Sequence, residues 1–488
     1  MAAPVKLAVE RVDFFMRNVT LRLPFRYGKA CLIAAPLLHT RLIARDADGR
    51  RAVGACADML PPKWFDKNPE KGFHDNVADL LTVARIGRQQ YLDAGTEAAP
   101  VFTHWRAAYP KIEHAAFVRG LNGLTASFGS SIIERALIDA ACHLEQSDFF
   151  TMVKENRLGI EPAAVHPELE GLRVADAFPP APLSHVHVRH TVGLGDPLAE
   201  QEVTAEARLD DGLPQTLDAW ALSAGVRYFK VKVQGTLEKD LARLTQVMEV
   251  LRRRGVVDYQ MSLDGNEQFP SADVLRHWLE GLAAGPLWAE LRERVLFIEQ
   301  PLERSVALRA PLGELGGPAW PPIIIDESDD HPNALKQAVA RGYRGTSVKN
   351  CKGVFHALLN KMLIDHYRRE GGNGFILSSE DLCNQPLLPL QQDLCTLSVL
   401  GVTHSERNGH HYVGTLDHLP QRELEACLRL HGSLYEPFGN SARLKIRGGL
   451  LDLSSLRQPG YSTALEPDWE SMTPAEEWQF ESLGIEEG

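Results

Sequence analysis

"YFKVKVQGTLEKDLARLTQVMEVLRRRGVVDYQMSLDGNE", residues 228–267, reads as strand, helix, strand. In the opening run Phe229, Val231 and Val233 alternate with Lys230 and Lys232, the period of two that places alternate side chains on opposite faces. A helical stretch follows over 237–255, and "YQMSLDGNE" (259–267) returns to strand texture. Two ammonium groups side by side on one face of a strand repel each other. Their presence asks what anion or what chemistry lies in front of them.

Outward from this unit the pattern repeats. From about residue 184 onward short apolar strands recur: "SHVHVRHTVG", "YFKVKVQG", "YQMSLDGNE", "VLFIEQP", "PIIIDES", "GTSVKN", "GFILSSEDL" and "LSVLGVTHS". Helical stretches such as "ADVLRHWLEGLAAG" separate several of them. Eight strand-plus-connection units predict an α/β fold of the (β/α)8 TIM-barrel type. A doubly wound open sheet would also alternate strand and helix, but its Gly-rich first turn is missing. The N-terminal part reads differently. "KLAVERVDFFM", "VTLRLPF" and "HTRLIARDADGRRAVGACADM" are β-like, with "DADGR" as a hairpin turn. "DNVADLLTVARIGRQQYLDAG" is helical and stops at Gly95, and "SSIIERALIDAACHLEQSDFFTMVKENRLG" reads as one amphipathic helix. The expected organisation is an α+β capping domain over 1–155, the barrel over 184–435, and a segment 436–488 that returns to the cap.

The chain has 488 residues, enough for two or more domains with full cores. Its net charge of −12 argues against a general nucleic-acid surface. No apolar run reaches membrane-spanning length, so no membrane partner is expected. "MAAPVKLAVERVDFF" lacks the apolar region of a secretory signal, and its early acids argue against a transit peptide. Seven scattered cysteines without a CxxC read as reduced thiols, which points to the cytoplasm.

The charged residues that interrupt the apolar strands carry the chemistry. Lys230 and Lys232, Asp264, Glu299, Asp326 with Glu327, Lys349, and Glu380 with Asp381 all lie toward the C-terminal ends of successive strands. In a barrel those ends converge on one mouth. Carboxylates from three adjacent strands, with oxygen ligands only, suit a hard cation such as Mg2+, with Mn2+ as substitute. Such a cation would keep the acids ionised and push neighbouring lysines toward the neutral form. A neutral lysine is a general base at physiological pH. Lysines on opposite sides of a carbon acid could then remove a proton from one face and return it to the other.

"KVK" (230–232), "SLDGNE" (262–267), "FIEQP" (297–301), "IIDES" (324–328) and "SVKNCKG" (347–353), in this order, resemble the enolase superfamily. More narrowly, they resemble its muconate-lactonizing-enzyme-like branch, the mandelate racemase/muconate lactonizing enzyme family. "LPFRYG" (23–28), "ALIDAAC" (136–142) and "GGLLDL" with "PG" (448–460) are similar to that family's capping-domain pieces. The resemblance implies Asp264, Glu299 and Asp326 as metal ligands, with Glu327 in the place of Asp326 if the strand register differs. It implies Lys232 as the acid/base, Lys230 as the partner that tunes it or binds the substrate carboxylate, and Lys349 on the opposite face. Asn266 matches the residue beside the first ligand. Glu380, with Asp381 next to it, falls where the branch carries an acid and the mandelate-racemase branch a catalytic His. Arg26 and Tyr27, and likewise Trp64, fall where the family's capping loop reads the substrate.

The chain also departs from the pattern. Extra residues lie at about 156–182, 281–295 and 305–320. "VTHSERNGHHYVG" (402–414) lacks the DxD that dipeptide epimerases of this branch carry; it offers His404, Glu406, Arg407, His410 and His411 instead, and this His404–His411 run reads as an exposed loop. The function expected is Mg2+-assisted abstraction of the proton α to a carboxylate through an enediolate, with racemisation or epimerisation as the outcome. Cycloisomerisation and dehydration follow from the same intermediate, and a non-catalytic, acid-binding barrel is the alternative of another class. A small carboxylic acid is the expected partner, and a homo-oligomer is compatible with the fold.

Overall fold

The N-terminal unit is built on long antiparallel strands, β1 (Lys6–Tyr27), β2 (Ala30–Arg45) and β3 (Arg51–Met59), in a computed structural model that describes residues 3–27, 30–462 and 464–485. Gly28 of the "LPFRYG" piece lies outside the described residues. The two β-like runs read at the N-terminus are one strand of 22 residues, kept in register with β2 across two irregularities. The β2–β3 turn forms at "DADGR", where the Asp46 carboxylate accepts from the Asp48 and Arg50 amides at 3.0 and 2.8 Å.

Three helices pack on this sheet: α1 (Phe73–Ala94), α2 (Val101–Phe117) and α3 (Gly123–Leu144). Helix α2 carries Pro110 in its interior, a breaker signal that hides it in the sequence. Helix α3 starts at Asn122, whose side chain accepts from the Thr125 amide at 2.9 Å. It is buried almost all round. Gly54 on β3 lets the sheet approach it: a Cβ there would stand 1.9 Å from the Ala136 carbonyl oxygen. The single helix read across "SSIIERALIDAACHLEQSDFFTMVKENRLG" is in fact two. Asp148 starts α4 (Phe149–Lys154), its carboxylate accepting from the Thr151 amide at 2.8 Å, and a residue that caps a new helix cannot continue the old one.

From residue 185 eight strands follow: β4 (His185–Val192), β5 (Tyr228–Lys232), β6 (Gln260–Asp264), β7 (Val295–Glu299), β8 (Ile323–Ile324), β9 (Gly345–Val348), β10 (Ile376–Ser379) and β11 (His404–Arg407). The parallel path runs β11–β4–β5–β6–β7–β8. A parallel bridge between Ile325 and Thr346 carries it to β9, which pairs in parallel with β10. Between β10 and β11 the Ser405 hydroxyl reaches Ser379 Oγ at 2.9 Å. Helices lie on the connections, among them α5 (Leu217–Ser223), α6 (Leu237–Arg253), α7 (Ala272–Ala283), α8 (Ala334–Ala340), α9 (Val354–Arg369) and α10 (Pro389–Leu400).

The last strand lies later than the sequence suggests. "LSVL" is the end of α10, which Gly401 stops in a left-handed conformation at φ 73°. The strand itself is His404–Arg407. At the far end of the chain Leu450–Asp452 pairs antiparallel with β4, and Thr473–Pro474 pairs with β1. Among the described residues no helix is long and apolar enough to cross a membrane.

Candidate active site

The strand registers bring the charged residues together at one end of the parallel strands. Lys232 pairs with Asp264 across β5 and β6, and Asp264 with Glu299 across β6 and β7. Asp326 lies two residues beyond β8, and Lys349 and Glu380 lie one residue beyond β9 and β10. All are buried.

Lys230 occupies the centre of this group. Its ammonium lies 3.0 Å from Asp264 Oδ2, 2.9 and 2.8 Å from the two Glu299 oxygens, 2.7 Å from Glu380 Oε2 and 3.0 Å from Glu406 Oε2. Burial pushes this amine down, but the four carboxylates outweigh it and hold the ammonium well above the usual lysine range. Among these side chains the nearest charged neighbours of Lys230, Lys232 and Lys349 are acids. Lys349 follows the same rule. Burial lowers it, Asp326 raises it by more, and the result is a raised pKa.

Two lysine–carboxylate pairs face the cavity from different strands. Lys232 donates to Asp264 Oδ2 at 2.5 Å, and Lys349 to Asp326 Oδ2 at 2.6 Å. Asp326 also receives Ser347 Oγ at 2.5 Å and Lys352 at 3.1 Å. Burial pushes Asp264 and Asp326 up, yet the lysines around each prevail and hold both carboxyls below the usual range. Glu299 behaves oppositely. Burial raises it, Asp264 and Glu380 raise it further, and the shared Lys230 does not compensate. Lys230 is its only cationic partner among the described residues, whereas Asp264 also has Lys232 and Glu380 also has Arg189.

Among the described residues no three His, Cys, Asp or Glu side chains stand ready to grip a metal ion. Asp264 and Glu299 converge on one point, where the Lys230 ammonium stands, and Asp326 faces Lys349 and Lys352. The donor chemistry nonetheless suits a hard divalent cation: three buried carboxylates, two of which already converge on a cation, the Lys230 ammonium.

The cavity in front of these groups is lined by Lys230, Lys232, Lys349, Asn266, Asp381 and Glu406, with Phe25, Tyr27, Leu32, Met59 and Trp64 as its roof. As it stands it is narrow, with about 30 Å³ free, room for one or two waters. Lys349 Nζ lies 4.2 Å from the Trp64 ring centroid, a cation–π contact. Tyr27 lines the roof and donates its hydroxyl to the Pro62 carbonyl at 2.8 Å. Arg26 is exposed and points away from the cavity, since alternate residues of β1 face opposite sides. Asn266, at φ 39°, donates to Glu327 Oε1 at 3.3 Å, and its own amide donates to Asp264 Oδ1 at 2.8 Å. Glu327 is buried, and burial, followed by Asp326 and Glu267, raises it.

Glu380 does not reach the cavity wall. Ser378 Oγ donates to it at 2.6 Å, and Arg189 and Lys230 hold its two oxygens. Asp381 lies on the wall, accepts from the Asn384 and Asn408 amides, and is pushed up to about 6 by burial, against the pull of Arg407.

The run His404–His411, read as an exposed loop, is largely buried. Glu406 within it accepts from Thr191 Oγ1 at 2.7 Å and Asn408 Nδ2 at 3.2 Å and joins the Lys230 cluster. Placing the eighth strand several residues early made Glu406 look like a loop residue; the helix stop at Gly401 was the missed signal. Arg189 was missed as well. It is fully buried, donates to Ser262 Oγ and Ser378 Oγ at 2.9 Å each, and so spans from β4 to both β6 and β10.

No protein-family profile matches the chain, and no curated protein matches it. Solved structures do. A dipeptide epimerase from Enterococcus faecalis V583, solved with Mg and L-Leu-L-Tyr, superposes at a TM-score of 0.59 and 12% identity, covering 93% of this chain and 99% of that one. A mandelate racemase/muconate lactonizing protein from Herpetosiphon aurantiacus gives 0.57 and 14%, covering 95% and 100%. An enolase from Bradyrhizobium with magnesium and mandelic acid gives 0.56 and 15%, covering 94% and 96%. At these identities the shared property is the fold. It is the fold of mandelate racemase/muconate lactonizing enzyme structures, the same family that the motifs resemble.

Proposed function

We propose that the protein is a cation-dependent enzyme that abstracts the proton α to a carboxylate, passes through an enediolate, and racemises or epimerises a carboxylic acid. In this reading β4–β11 close as a (β/α)8 barrel. The N-terminal unit, residues 1–155, caps its mouth, and the segment 436–488 returns to that cap. Asp264, Glu299 and Asp326 would hold Mg2+, or Mn2+ in its place. Bound there, the ion would supply Lewis acidity toward the enediolate charge and favour the neutral form of Lys232 and Lys349.

One observation carries the reading. Lys232 and Lys349, from β5 and from beyond β9, line a single cavity, and each is held by a different one of the three acids. Such a pair can take a proton at one Nζ and return one from the other on the opposite face of the α-carbon. Trp64 and Tyr27 cover the lysines and keep bulk water from the carbanion. Phe25, Leu32, Met59 and Trp64 offer an apolar surface, which suits an acid with an apolar or aromatic substituent. Dehydration ranks lower because the seventh-strand acid, Glu380, is turned into the strands and away from the cavity.

The test is deuterium exchange. Incubating apolar and aromatic α-substituted acids, amino-acid derivatives and sugar acids in D2O with Mg2+ should give loss of the α-proton from at least one class. Lys232→Ala and Lys349→Ala should each abolish exchange from one face only, a loss of roughly 10²–10⁴-fold for that face. No exchange across the whole panel would leave a non-catalytic, acid-binding protein as the better reading.

A further inference from the structure

We propose that Lys230 is a built-in counter-cation that competes with the divalent ion for Asp264 and Glu299, and that Glu380 and Glu406 are the seat receiving its ammonium when the ion is present. This rests on the reading above that Asp264 and Glu299 are cation ligands. The four acids around Lys230 fall into two pairs. Asp264 and Glu299 end the adjacent strands β6 and β7, at the point where a cation would be gripped. Glu380 and Glu406 come from the β10–β11 side.

The second pair is held in place independently of the lysine. Arg189 and Ser378 fix Glu380, and Thr191 and Asn408 fix Glu406. Glu299 has no such support, and Lys230 alone neutralises it among the described residues. Two cations cannot share the same oxygens, and a lysine ammonium on a flexible four-carbon stem yields to a fixed divalent charge. It has only to relax toward carboxylates it already touches at 2.7 and 3.0 Å. Glu380 and Glu406 are thus positioning residues. They keep Lys230 buried and charged while releasing the acids that the ion needs.

The experiment reads cation binding without turnover. Mg2+ is titrated calorimetrically, and Mn2+ by electron paramagnetic resonance, into the full-length protein and its variants. Lys230→Met should bind about tenfold more tightly than wild type, and Glu380→Gln and Glu406→Gln each about threefold or more weakly. In the Lys230→Met background, Glu380→Gln should shift affinity by less than about twofold. If Glu380→Gln weakens binding equally with Met or Lys at position 230, the loss is only that of a nearby charge and the inference is overturned. Equal affinity in wild type and Lys230→Met also overturns it. Should wild type bind neither ion, the cation reading itself fails and takes this inference with it, a signature different from the other two. If Lys230→Met does not fold, the comparison passes to Glu380→Gln/Glu406→Gln and to Asp381→Asn, which removes a buried acid on the same cavity without touching Lys230. The double variant should lose more than about tenfold and Asp381→Asn less than about twofold; equal losses overturn the proposal.

Discussion

Arg189 shows what single side chains do in this interior. A guanidinium with no exposed surface, 5.0 Å from the Phe297 ring, stands where a packed strand interior ordinarily carries aliphatic groups. It persists because Ser262, Ser378, the Ser379 carbonyl and Glu380 accept its hydrogen bonds. Removing one partner of a buried ion pair leaves the other uncompensated, which costs roughly 3–5 kcal/mol. Arg189→Met should therefore destabilise by about that amount in chemical denaturation. Arg189→Met/Glu380→Gln, which removes both charges, should recover part of the loss. Were the double variant the weaker of the two, the pairing account of Arg189 would be wrong. Sequence alone did not expose this residue, because a lone Arg in "HVHVRHTVG" has no partner within reach along the chain.

Among elements, the segment between β3 and α1 is held by an identifiable latch. Arg304, just past β7, donates to the Trp64 carbonyl at 2.9 Å, the Phe65 carbonyl at 2.8 Å and Glu267 Oε1 at 2.7 Å. Lys67 pairs with Glu267 and donates to the Asn266 carbonyl at 3.0 Å. These bonds hold Trp64 over Lys349. Hydrogen bonds to charged groups contribute roughly 1.5–3 kcal/mol each, so Arg304→Met should speed amide exchange across residues 61–68 by roughly tenfold or more. Exchange elsewhere in the N-terminal unit should stay unchanged, and hydrogen–deuterium exchange mass spectrometry would reveal the contrast. Unaltered exchange over 61–68 would show that the roof is held by packing instead. "PPKWFDK" is visible in the sequence as a candidate contact; Arg304, more than two hundred residues away, is not.

For the whole molecule, the junction between the N-terminal unit and the parallel strands carries a titrating group. Glu134 on α3 accepts from the Phe355 amide at the start of α9 at 2.6 Å. Burial raises its carboxyl to about 7, outweighing that hydrogen bond and the nearby Arg135. An acid raised in the folded state keeps its proton where the unfolded chain loses it. Stability should therefore fall as pH rises from the unfolded value near 4.5 to about 7, and then level off. At about 1.4 kcal/mol per unit the full effect is roughly 3 kcal/mol. Glu134→Gln keeps an acceptor for Phe355 and cannot ionise. Its melting temperature should lose this slope and exceed that of wild type above pH 7 in calorimetry; a parallel pair of profiles would contradict the assignment.

Local pattern was enough for the strand–helix–strand repeat, for the helix stop at Gly95 and for the "DADGR" turn, because each rests on period, caps and turn chemistry within a few residues. The acids and lysines at successive strand ends were legible for the same reason: they break apolar runs at matching places. Which charge meets which was not legible. The four acids that share Lys230 come from four strands spread over more than a hundred residues, and the Lys352 contact to Asp326 depends on two strands meeting in space. Electrostatic pairing acts over a few ångströms in three dimensions and leaves no periodic trace along the chain. Folding therefore had to choose the partners of the lysines and, for Lys230 and Lys349, the direction in which they titrate.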